Sequence, residues 1–306
     1  MSREPATTFK RSDVYPSAVV DGRVPRNGTS GRLHRGFQRL LVSNAEREES
    51  DLEQRLRSLP AVTRPNTVAL ISPKGGVGKT TSTFVVGNLL VTHLKLRVIA
   101  VDANPDFGTL ARLAPDDRHC ERSVADLLDE AERLNTAAEL GAYVSRMPSG
   151  LHLLGAPHDA ELTAGLGPDR YGELVAFLAS FYEVVLLDLG TGVAGPLAHF
   201  AIERSDQVVV VTTPEWITSM IVLQSLSHLR HDRTTVAINK SHLRSADMRA
   251  VEERFRAEHL HRSVTVPYDE QLGTMLDTGT YALDALGRPT RVAVKRLGLA
   301  VAEQLV

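Results

Sequence analysis

One stretch constrains the fold of this chain more than any other, namely Lys-Gly-Gly-Val-Gly-Lys-Thr-Thr at residues 74–81. An apolar run at residues 68–71 precedes this stretch, and a helical pattern of apolar residues follows it. Glycines let the backbone turn tightly and bring its N–H groups close to an anion, because no Cβ stands in the way. The helix that begins at Thr80 adds the positive end of its dipole. A strand, a glycine-rich turn and a helix in this order predict a phosphate-binding loop.

Two side chains of the loop carry specific chemistry. Lys79 places a cation at the β- and γ-phosphates of a nucleotide, and the Thr80 hydroxyl is a ligand for Mg²⁺. The general pattern asks for a glycine five residues before Gly78, where this chain has Pro73. The match is therefore to the Gly-Lys-Thr core, with an additional lysine at position 74. The expected nucleotide contacts in the loop are Lys74, Gly75, Gly76, Val77, Gly78, Lys79, Thr80 and Thr81.

These eight residues resemble the deviant Walker A loop of the MinD/ParA family of P-loop ATPases. The resemblance covers the chain from about residue 67 to its end, and it implies that ATP and Mg²⁺ are the cofactors. It also implies an ATP-dependent homodimer, in which Lys74 reaches across the interface to the nucleotide of the partner subunit. Lys74 is accordingly assigned to catalysis as well as to binding.

Composition bounds the class of protein. The chain has 306 residues, of which 42% are hydrophobic and 24% charged, an ordinary soluble composition. Its formal net charge of -2 points neither to nucleic acid nor to a membrane surface. Cys120 is the only cysteine, so no internal disulfide is expected, and a reducing cytoplasm fits. The sequence has no apolar run long enough to cross a bilayer, and its N-terminus lacks the apolar core of a signal peptide.

Residues 1–66 are predicted to form an extension to a globular domain at residues 67–306. Residues 1 to about 31 are rich in Ser, Thr, Pro, Gly and Arg, a composition typical of disorder. From Arg32 to Leu59 the apolar residues recur with helical spacing. One interpretation is a basic amphipathic helix for a membrane surface or a partner. The favoured interpretation is a helix that packs on the domain or forms a solvated arm.

Short apolar runs alternate with helical stretches through the globular part, which is typical of an α/β fold. We expect a P-loop NTPase with a mostly parallel, twisted sheet and helices on both faces. The predicted strands are 68–71, 98–101, 151–154, 184–187, 208–211, 236–238 and 264–266. The predicted helices are 80–94, 124–134, 171–181, 217–229, 246–258 and 293–305, with Ser123 and Asp169 as N-caps. Any ligand site then lies at the carboxyl ends of the strands.

An acidic residue, Asp102, directly follows the second predicted strand and precedes Ala-Asn-Pro-Asp. A carboxylate beside a phosphate loop can hold Mg²⁺ through water. In the MinD/ParA family the motif is usually Asp-x-Asp-Pro, and the resemblance implies that its second carboxylate orients or activates the attacking water. This chain has Asn104 at that position, and an amide cannot take the proton of a water molecule. Because phosphoryl transfer depends mainly on positioning and charge, we expect slow hydrolysis, or use of Asp106 or a partner's residue. Asp102 and Asn104 are therefore candidate catalytic residues.

A second acidic residue, Asp188, follows four apolar residues, which fits a Walker B motif that holds a Mg²⁺-bound water. Thr80, Asp102 and Asp188 are accordingly the predicted metal ligands. The segment Gly190-Thr191-Gly192 follows. It is interpreted either as a loop that moves with the γ-phosphate or as a plain strand-to-helix turn.

Two further segments are assigned to the base of the nucleotide. Asn239 and Lys240 follow a predicted strand and resemble the family's Asn-Lys pair, whose amide can read the adenine edge. Pro267 and Tyr268 resemble the loop that closes over the base. These four residues complete the predicted ATP site.

Other features carry alternative interpretations. His228 with His231, and His259 with His261, lack the further ligands of a known zinc spacing, so solvated histidines are favoured. ParA-type relatives bind DNA non-specifically through basic residues in the second half of the fold, but acidic residues interleave here, so a mixed surface is at least as well supported. The basic residues are Arg244, Arg249, Arg254, Arg256, Arg262, Arg288, Arg291, Lys295 and Arg296. The apolar C-terminal segment is predicted to pack on the domain, not to tether a membrane.

The predicted function is a Mg²⁺-dependent, slow ATPase that acts as a nucleotide-gated dimerisation switch in positioning, partitioning or secretion of a cargo. The N-terminal arm and the sequence Val-Asp-Ala-Asn-Pro-Asp resemble ATP-binding proteins found beside type VII secretion systems of actinobacteria, which implies an unidentified protein partner. One alternative is a non-hydrolysing regulatory scaffold. Another is a metabolic synthase of the same fold, such as a dethiobiotin or cobyrinate synthase, which would need a substrate pocket that the sequence does not identify.

Overall fold

The computed structural model describes residues 35–104, 108–193, 195–215, 218–219, 221–222, 231–242, 245–257 and 259–305. The helices are α1 Arg35–Arg57, α2 Lys79–Leu94, α3 Val124–Glu130, α4 Ala137–Leu140, α5 Ala160–Gly165, α6 Pro168–Leu178, α7 Pro196–Arg204, α8 Ser245–Ala257, α9 Glu270–Thr278 and α10 Arg288–Ala302. The strands are β1 Asn66–Ser72, β2 Val98–Ala103, β3 Ser145–Arg146, β4 His152–Leu154, β5 Val184–Thr191, β6 Gln207–Thr212, β7 Thr234–Ser241 and β8 Arg262–Pro267.

An eight-stranded sheet forms the centre of the molecule, in the order β3-β4-β2-β5-β1-β6-β7-β8. Every neighbouring pair of strands is parallel except β3 and β4. The phosphate-loop strand β1 lies between β5 and β6, and every residue of β1 is buried. Strands that are buried on both faces read as continuous apolar runs, which is why each of the predicted strands is found. The predicted α/β class with a mostly parallel sheet is confirmed.

Helices cover both faces of the sheet, as predicted. Side chains of β1 alternate between two hydrophobic clusters, with Val68 and Leu70 in one and Ala69 and Ile71 in the other. The first cluster includes residues of α2, α9 and α10, and the second includes residues of α3, α6 and α7. Removal of this apolar surface from water, at about 25 cal/mol per Å², is the main free-energy gain of the architecture.

Helix starts depend on capping chemistry. Ser123 is the N-cap of α3, as predicted, and it forms a capping box with Asp126. The prediction that Asp169 caps a helix is wrong, because Gly167 is the cap of α6 and Pro168 opens the helix, where a missing N–H is harmless. The sequence pattern does not predict β3, α4, α5, α7 and α9. The helix predicted at residues 217–229 lies mostly outside the described residues.

The helix of the N-terminal extension, α1, packs against the last helix, α10. Leu52 and Leu56 of α1 are buried in the first hydrophobic cluster. Carboxylates of α1 pair with cations of α10. The pairs are Glu46 with Arg288, Glu48 with Arg296, Glu49 with Arg291, and both Glu49 and Glu53 with Lys295. The predicted helix packed on the domain is confirmed, and the domain boundary at residue 66 stays a prediction.

The C-terminal segment packs into the domain, as predicted, with Leu299, Val301 and Leu305 buried. Within the part of the chain that the structure describes, no helix combines the length and the apolar character needed to cross a bilayer.

Candidate functional site

The loop between β1 and α2 has a backbone that requires glycine at specific points. Gly76 and Gly78 adopt left-handed φ angles of 75° and 93°. Gly78 is the N-cap of α2 and offers no side-chain hydrogen bond to the first turn. A Cβ at Gly78 would lie 2.1 Å from Nδ2 of Asn239, so no other residue fits there without a shift. The loop therefore leaves the N–H groups at the start of α2 without a side-chain cap, which favours an anion at this point.

Asp188, on the strand next to β1, lies at the start of α2 with three side chains around it. Its carboxylate accepts hydrogen bonds from Lys79 Nζ at 2.7 Å and from Thr80 Oγ1 at 2.7 Å. The side chains of Lys79 and Asp188 are 8% and 2% exposed, so this is a buried ion pair. Thr83 Oγ1 lies 3.2 Å from the same carboxylate. The structure thus brings together three residues that the sequence assigned to phosphate and metal.

The sequence reasoning did not assign Thr83 to the site. It lies one helical turn after Thr80, so its position on the same face of α2 is the signal that could have identified it.

Asp102 lies directly opposite Asp188 in the register of β2 and β5. Its buried carboxylate accepts hydrogen bonds from the backbone N–H of Leu110 at 2.8 Å and of Asn104 at 3.2 Å. Burial raises the pKa of Asp102 to about 6 against the lowering effect of the Leu110 hydrogen bond, and the negative charge of Asp188 adds to the rise. Two carboxylates in this arrangement favour a cation beside them.

The carboxylate of Asp102 also packs against the loop that follows β2. A Cβ at Gly108 would lie 2.2 Å from both carboxylate oxygens, so this position requires glycine, which the sequence reasoning missed. Asn104 is half-buried in the same loop, and Asp106 lies outside the described residues. Asp102 therefore holds both ends of the segment from Asn104 to Leu110 through backbone hydrogen bonds, in addition to lying beside Asp188.

Lys74 lies on the outside of the site. Its ammonium group is 3.7 Å from Oε2 of Glu215, and both side chains are more than half exposed. Glu215 follows β6, the neighbour of β1, so the parallel sheet brings the two residues to the same edge. The hydroxyls of Thr213 and Thr218 donate to the same oxygen at 3.4 and 3.2 Å. The sequence reasoning did not identify Glu215 as a partner of Lys74, because nothing local links them.

Gly190 and Thr191 belong to strand β5, and Gly192 follows it with a φ of 95°. The N–H of Gly192 donates to the carbonyl of Ser72 at 2.9 Å, which ties this segment to the end of β1. The interpretation of all three residues as a loop or a turn is therefore wrong for Gly190 and Thr191.

The four residues predicted to bind the base lie at the same edge of the sheet. Asn239 Nδ2 donates to the carbonyl of Val77 at 3.0 Å, and Lys240 Nζ donates to the carbonyl of Gly76 at 2.7 Å. Pro267 ends β8, and Tyr268 stands 50% exposed, with its ring 4.6 Å from that of His242 between centroids. Contact of these residues with a base stays a prediction, whereas contact of Asn239 and Lys240 with the phosphate loop is observed.

The basic residues of the second half are mostly engaged. Those on α10 pair with α1, and Arg262 donates to the carbonyl of Asp232. Arg249 and Arg254 have interactions of their own. Arg244 and His228 lie outside the described residues. Across the described residues, no three or more His, Cys, Asp or Glu side chains are placed to hold a metal ion together.

A strand, glycine-rich loop and helix, with buried carboxylates on the neighbouring strands β2 and β5, define a P-loop NTPase. The family model AAA_31, described as an AAA domain, matches residues 65–242, which is more than half of the chain. The chain belongs to this family and, within it, to the MinD/ParA group of deviant Walker A ATPases.

Three known proteins illustrate the relationship. The ESX-1 secretion-associated protein EspI of Mycobacterium tuberculosis is 32% identical over 174 residues, which is 57% of this chain and 25% of EspI. The chain thus matches only a quarter of that relative. A ParA family ATPase from Chlorobium tepidum has a TM-score of 0.62 at 21% identity, over 76% of this chain and 96% of that protein. MinD of Pyrococcus horikoshii, solved with Mg-ADP, has a TM-score of 0.60 at 19% identity, over 76% and 94%. The two structures share the fold of this chain.

Proposed function

We propose that this chain binds ATP with Mg²⁺, hydrolyses it slowly, and uses the bound nucleotide to gate dimerisation. The observation that carries the proposal is the group formed at the start of α2 by the buried Lys79 and Asp188 with the half-buried Thr80. An ammonium group, a hydroxyl and a carboxylate around uncapped N–H groups are the elements that a triphosphate and its metal ion require.

The residues present fit a magnesium nucleotide. Hard cations such as Mg²⁺ prefer oxygen ligands, and Thr80, Asp102 and Asp188 supply a hydroxyl and two carboxylates. The buried carboxylates lie side by side on β2 and β5, and among the described residues Lys79 is the cation paired with them. Mg²⁺ would stabilise this negative charge, and the nucleotide phosphates would supply further ligands. Lys79 and the backbone of residues 75–81 would hold the phosphates.

Slow hydrolysis follows from the residue at position 104. An amide can orient water through hydrogen bonds, but it cannot act as a general base. Asn104 is half-buried, and its backbone N–H is held by Asp102, so it is positioned near the carboxylate pair. Substrate positioning and charge stabilisation by the loop residues account for the activity that remains. Asn104 also supports a second candidate function, a regulatory scaffold that binds ATP without turnover.

Lys74 supports the dimerisation part of the proposal. It is exposed beside the loop, and its interaction with Glu215 at 3.7 Å is loose, so it is available to a partner subunit. An exposed pair of this kind contributes only about 0–1 kcal/mol. The γ-phosphate of ATP bound to the partner subunit would compete with Glu215 for this lysine. ATP supplies this contact and ADP does not, and such a difference between the two nucleotide states is what a nucleotide-gated switch requires.

The cargo is proposed from the relatives. The similarity to EspI favours a role beside a type VII secretion system, with a protein partner of that system. Partitioning or positioning of another cargo is the alternative, based on the ParA and MinD relatives. A cytoplasmic location fits the single cysteine.

The test is a measurement of molecular mass by light scattering with Mg-ATP, Mg-ADP and no nucleotide, paired with a phosphate-release assay. A dimer that forms with Mg-ATP but not in the other two conditions, together with slow phosphate release, supports the proposal. Dimerisation without phosphate release favours the scaffold. Equal mass in all three conditions would contradict the switch. The same assay with DNA, lipid vesicles and candidate secretion proteins added identifies the stimulating partner.

A further inference from the structure

The carbonyl groups of the phosphate loop have specific donors. Val77 is buried, and its carbonyl accepts from Nδ2 of Asn239 at 3.0 Å. The neighbouring carbonyl of Gly76 accepts from Nζ of Lys240 at 2.7 Å. When a loop directs its N–H groups toward an anion, its carbonyls point elsewhere, and a buried carbonyl without a donor is costly. The two donors therefore hold the orientation of the loop backbone.

The end of β7 is shaped to deliver both side chains to the same loop. Successive residues of a regular strand point to opposite faces of the sheet, so Asn239 and Lys240 would normally diverge. The register of β7 with β8 shifts between Ile238 and Ser241. Lys240 has a left-handed φ of 54°, which is uncommon for a residue with a Cβ and carries a conformational cost. This irregularity re-aims the backbone, and both neighbours reach the loop.

The packing around Gly78 ties the two donors to the same point. A Cβ on Gly78 would lie 2.1 Å from Nδ2 of Asn239 and 3.8 Å from Cε of Lys240. The glycine at the N-cap of α2 and the two side chains from β7 thus fit against each other. One N–H of the Asn239 amide is therefore engaged with the loop in the nucleotide-free protein.

We propose that Asn239 and Lys240 are positioning residues that fix the backbone of the phosphate loop, and that they contribute to nucleotide affinity through the phosphates. The inference rests on the proposed function in one respect, namely that the loop binds a triphosphate. It adds a loop-positioning role to the sequence-based assignment, in which Asn239 reads the adenine edge.

Ligands without a base separate the two roles. A positioning residue affects ATP, GTP and inorganic tripolyphosphate by the same factor, because all three use the same loop. A base-reading residue affects ATP, changes the ratio of ATP to GTP affinity, and leaves inorganic tripolyphosphate unchanged. The affinities are measured by isothermal titration calorimetry in the presence of Mg²⁺.

The principal variant is Lys240→Met, which removes the ammonium group from an exposed side chain and keeps its stem. We expect about tenfold weaker binding of all three ligands, since hydrogen bonds to charged groups are the stronger class. Lys240→Arg restores a cationic donor and is expected to recover most of the affinity. Asn239→Leu removes the amide at similar size and is expected to act like Lys240→Met. The matched control is Lys95→Met, an exposed lysine with a similar left-handed φ of 57° at the far end of α2.

A second measurement does not depend on nucleotide. Hydrogen–deuterium exchange of the nucleotide-free protein is expected to become several-fold faster at residues 75–80 in Lys240→Met, and to stay at the wild-type rate there in Lys95→Met. Unchanged exchange in the loop, or unchanged tripolyphosphate affinity while wild type binds it, would overturn the positioning role. If wild type binds no triphosphate but the loop exchange still rises in Lys240→Met, the positioning role stands and the proposed ATP function fails.

Discussion

The ammonium group of Lys79 lies 2.7 Å from the carboxylate of Asp188, and both side chains are buried. This pair joins the phosphate loop to the strand that carries the predicted metal ligand. Without a nucleotide, the Lys79 ammonium and the Asp188 carboxylate neutralise each other, because both are buried away from bulk water. In the proposed function, the phosphates of ATP would take over Lys79 and leave Asp188 to the metal ion. The folding of the site and its chemistry therefore depend on the same two groups.

Removal of both partners should destabilise the nucleotide-free protein by less than the sum of the two single removals. Lys79→Met leaves an unpaired buried carboxylate, and Asp188→Asn leaves an unpaired buried ammonium, each at a cost of roughly 3 kcal/mol. The double variant should recover at least about 1 kcal/mol relative to the sum. Urea unfolding of the four proteins measures the coupling. The exposed pair Arg133 with Glu130 is the control, with a coupling below about 1 kcal/mol. Strict additivity at Lys79 and Asp188 would contradict the buried pair.

Asp102 should make the nucleotide-free protein less stable as pH rises. Burial raises the pKa of Asp102 from 3.8 to about 6, so the folded state keeps a proton that the unfolded state has released. Stability therefore declines as pH rises through that window and is constant above it. Relative to Asp102→Asn, which does not titrate, wild type should lose on the order of 2 kcal/mol between about pH 4 and pH 7.

The measurement is urea unfolding at several pH values without metal. Asp117→Asn, at an exposed carboxylate, is the control. A difference between wild type and Asp102→Asn that does not vary with pH would show that Asp102 is not shifted.

Glu49 should have the opposite pH dependence. Burial works to raise the pKa of Glu49, but the hydrogen bonds and charges of Arg291 and Lys295 outweigh it and hold the pKa at about 2. The stabilisation is fully present above the unfolded value of 4.5 and is lost as pH falls toward 2. The melting temperature of Glu49→Gln should lie below that of wild type at neutral pH, and the gap should narrow in acid. Glu303→Gln, which breaks a more exposed pair between Arg55 of α1 and the C-cap of α10, should show a smaller gap.

Lys74 and Glu215 should have opposite effects on ATP-dependent association. Lys74→Ala should bind ATP with an affinity within about threefold of wild type, because an exposed side chain contributes little to the site of its own subunit. The variant should remain monomeric with ATP, because it lacks the proposed contact with the nucleotide of the partner subunit. Glu215→Gln releases Lys74 from its loose partner and should strengthen the ATP dimer by a few-fold at most. Sedimentation velocity with Mg-ATP measures both, with Lys95→Ala as the control. A Lys74→Ala variant that still dimerises with ATP would exclude the proposed contact across the interface.

Asn104→Asp should increase the rate of phosphate release by about tenfold or more, because a carboxylate can accept a proton from the attacking water. ATP affinity should change little, since the loop residues hold the phosphates. A phosphate-release assay at saturating Mg-ATP checks this, and Asn104→Asp combined with Lys79→Met is the inactive control. An unchanged rate would mean that position 104 does not limit hydrolysis.

Some elements that the pattern failed to predict carried local signals. Asp269 is the N-cap of α9 and its carboxylate accepts a hydrogen bond from the backbone N–H of Gln271, while the left-handed Gly279 is the C-cap, so both ends carry a conventional helix signal. α7 begins with Pro196 in its first turn. β3 is two residues long and pairs antiparallel with β4 at the edge of the sheet. A strand of this length is too short to show an alternating pattern, so the local sequence does not predict it.

The sequence by itself determined the features whose physical cause is local. The glycines and the lysine of residues 74–81 specify the loop, and continuous apolar runs specify strands buried on both faces. The order of those strands is a property of the whole fold, because β1 lies between β5 and β6 and not beside β2. Only that order places Asp102 opposite Asp188, Lys74 near Glu215, and the end of β7 against Gly76 and Val77. These contacts join residues far apart in the chain, and packing of the sheet, rather than any local preference, brings them together.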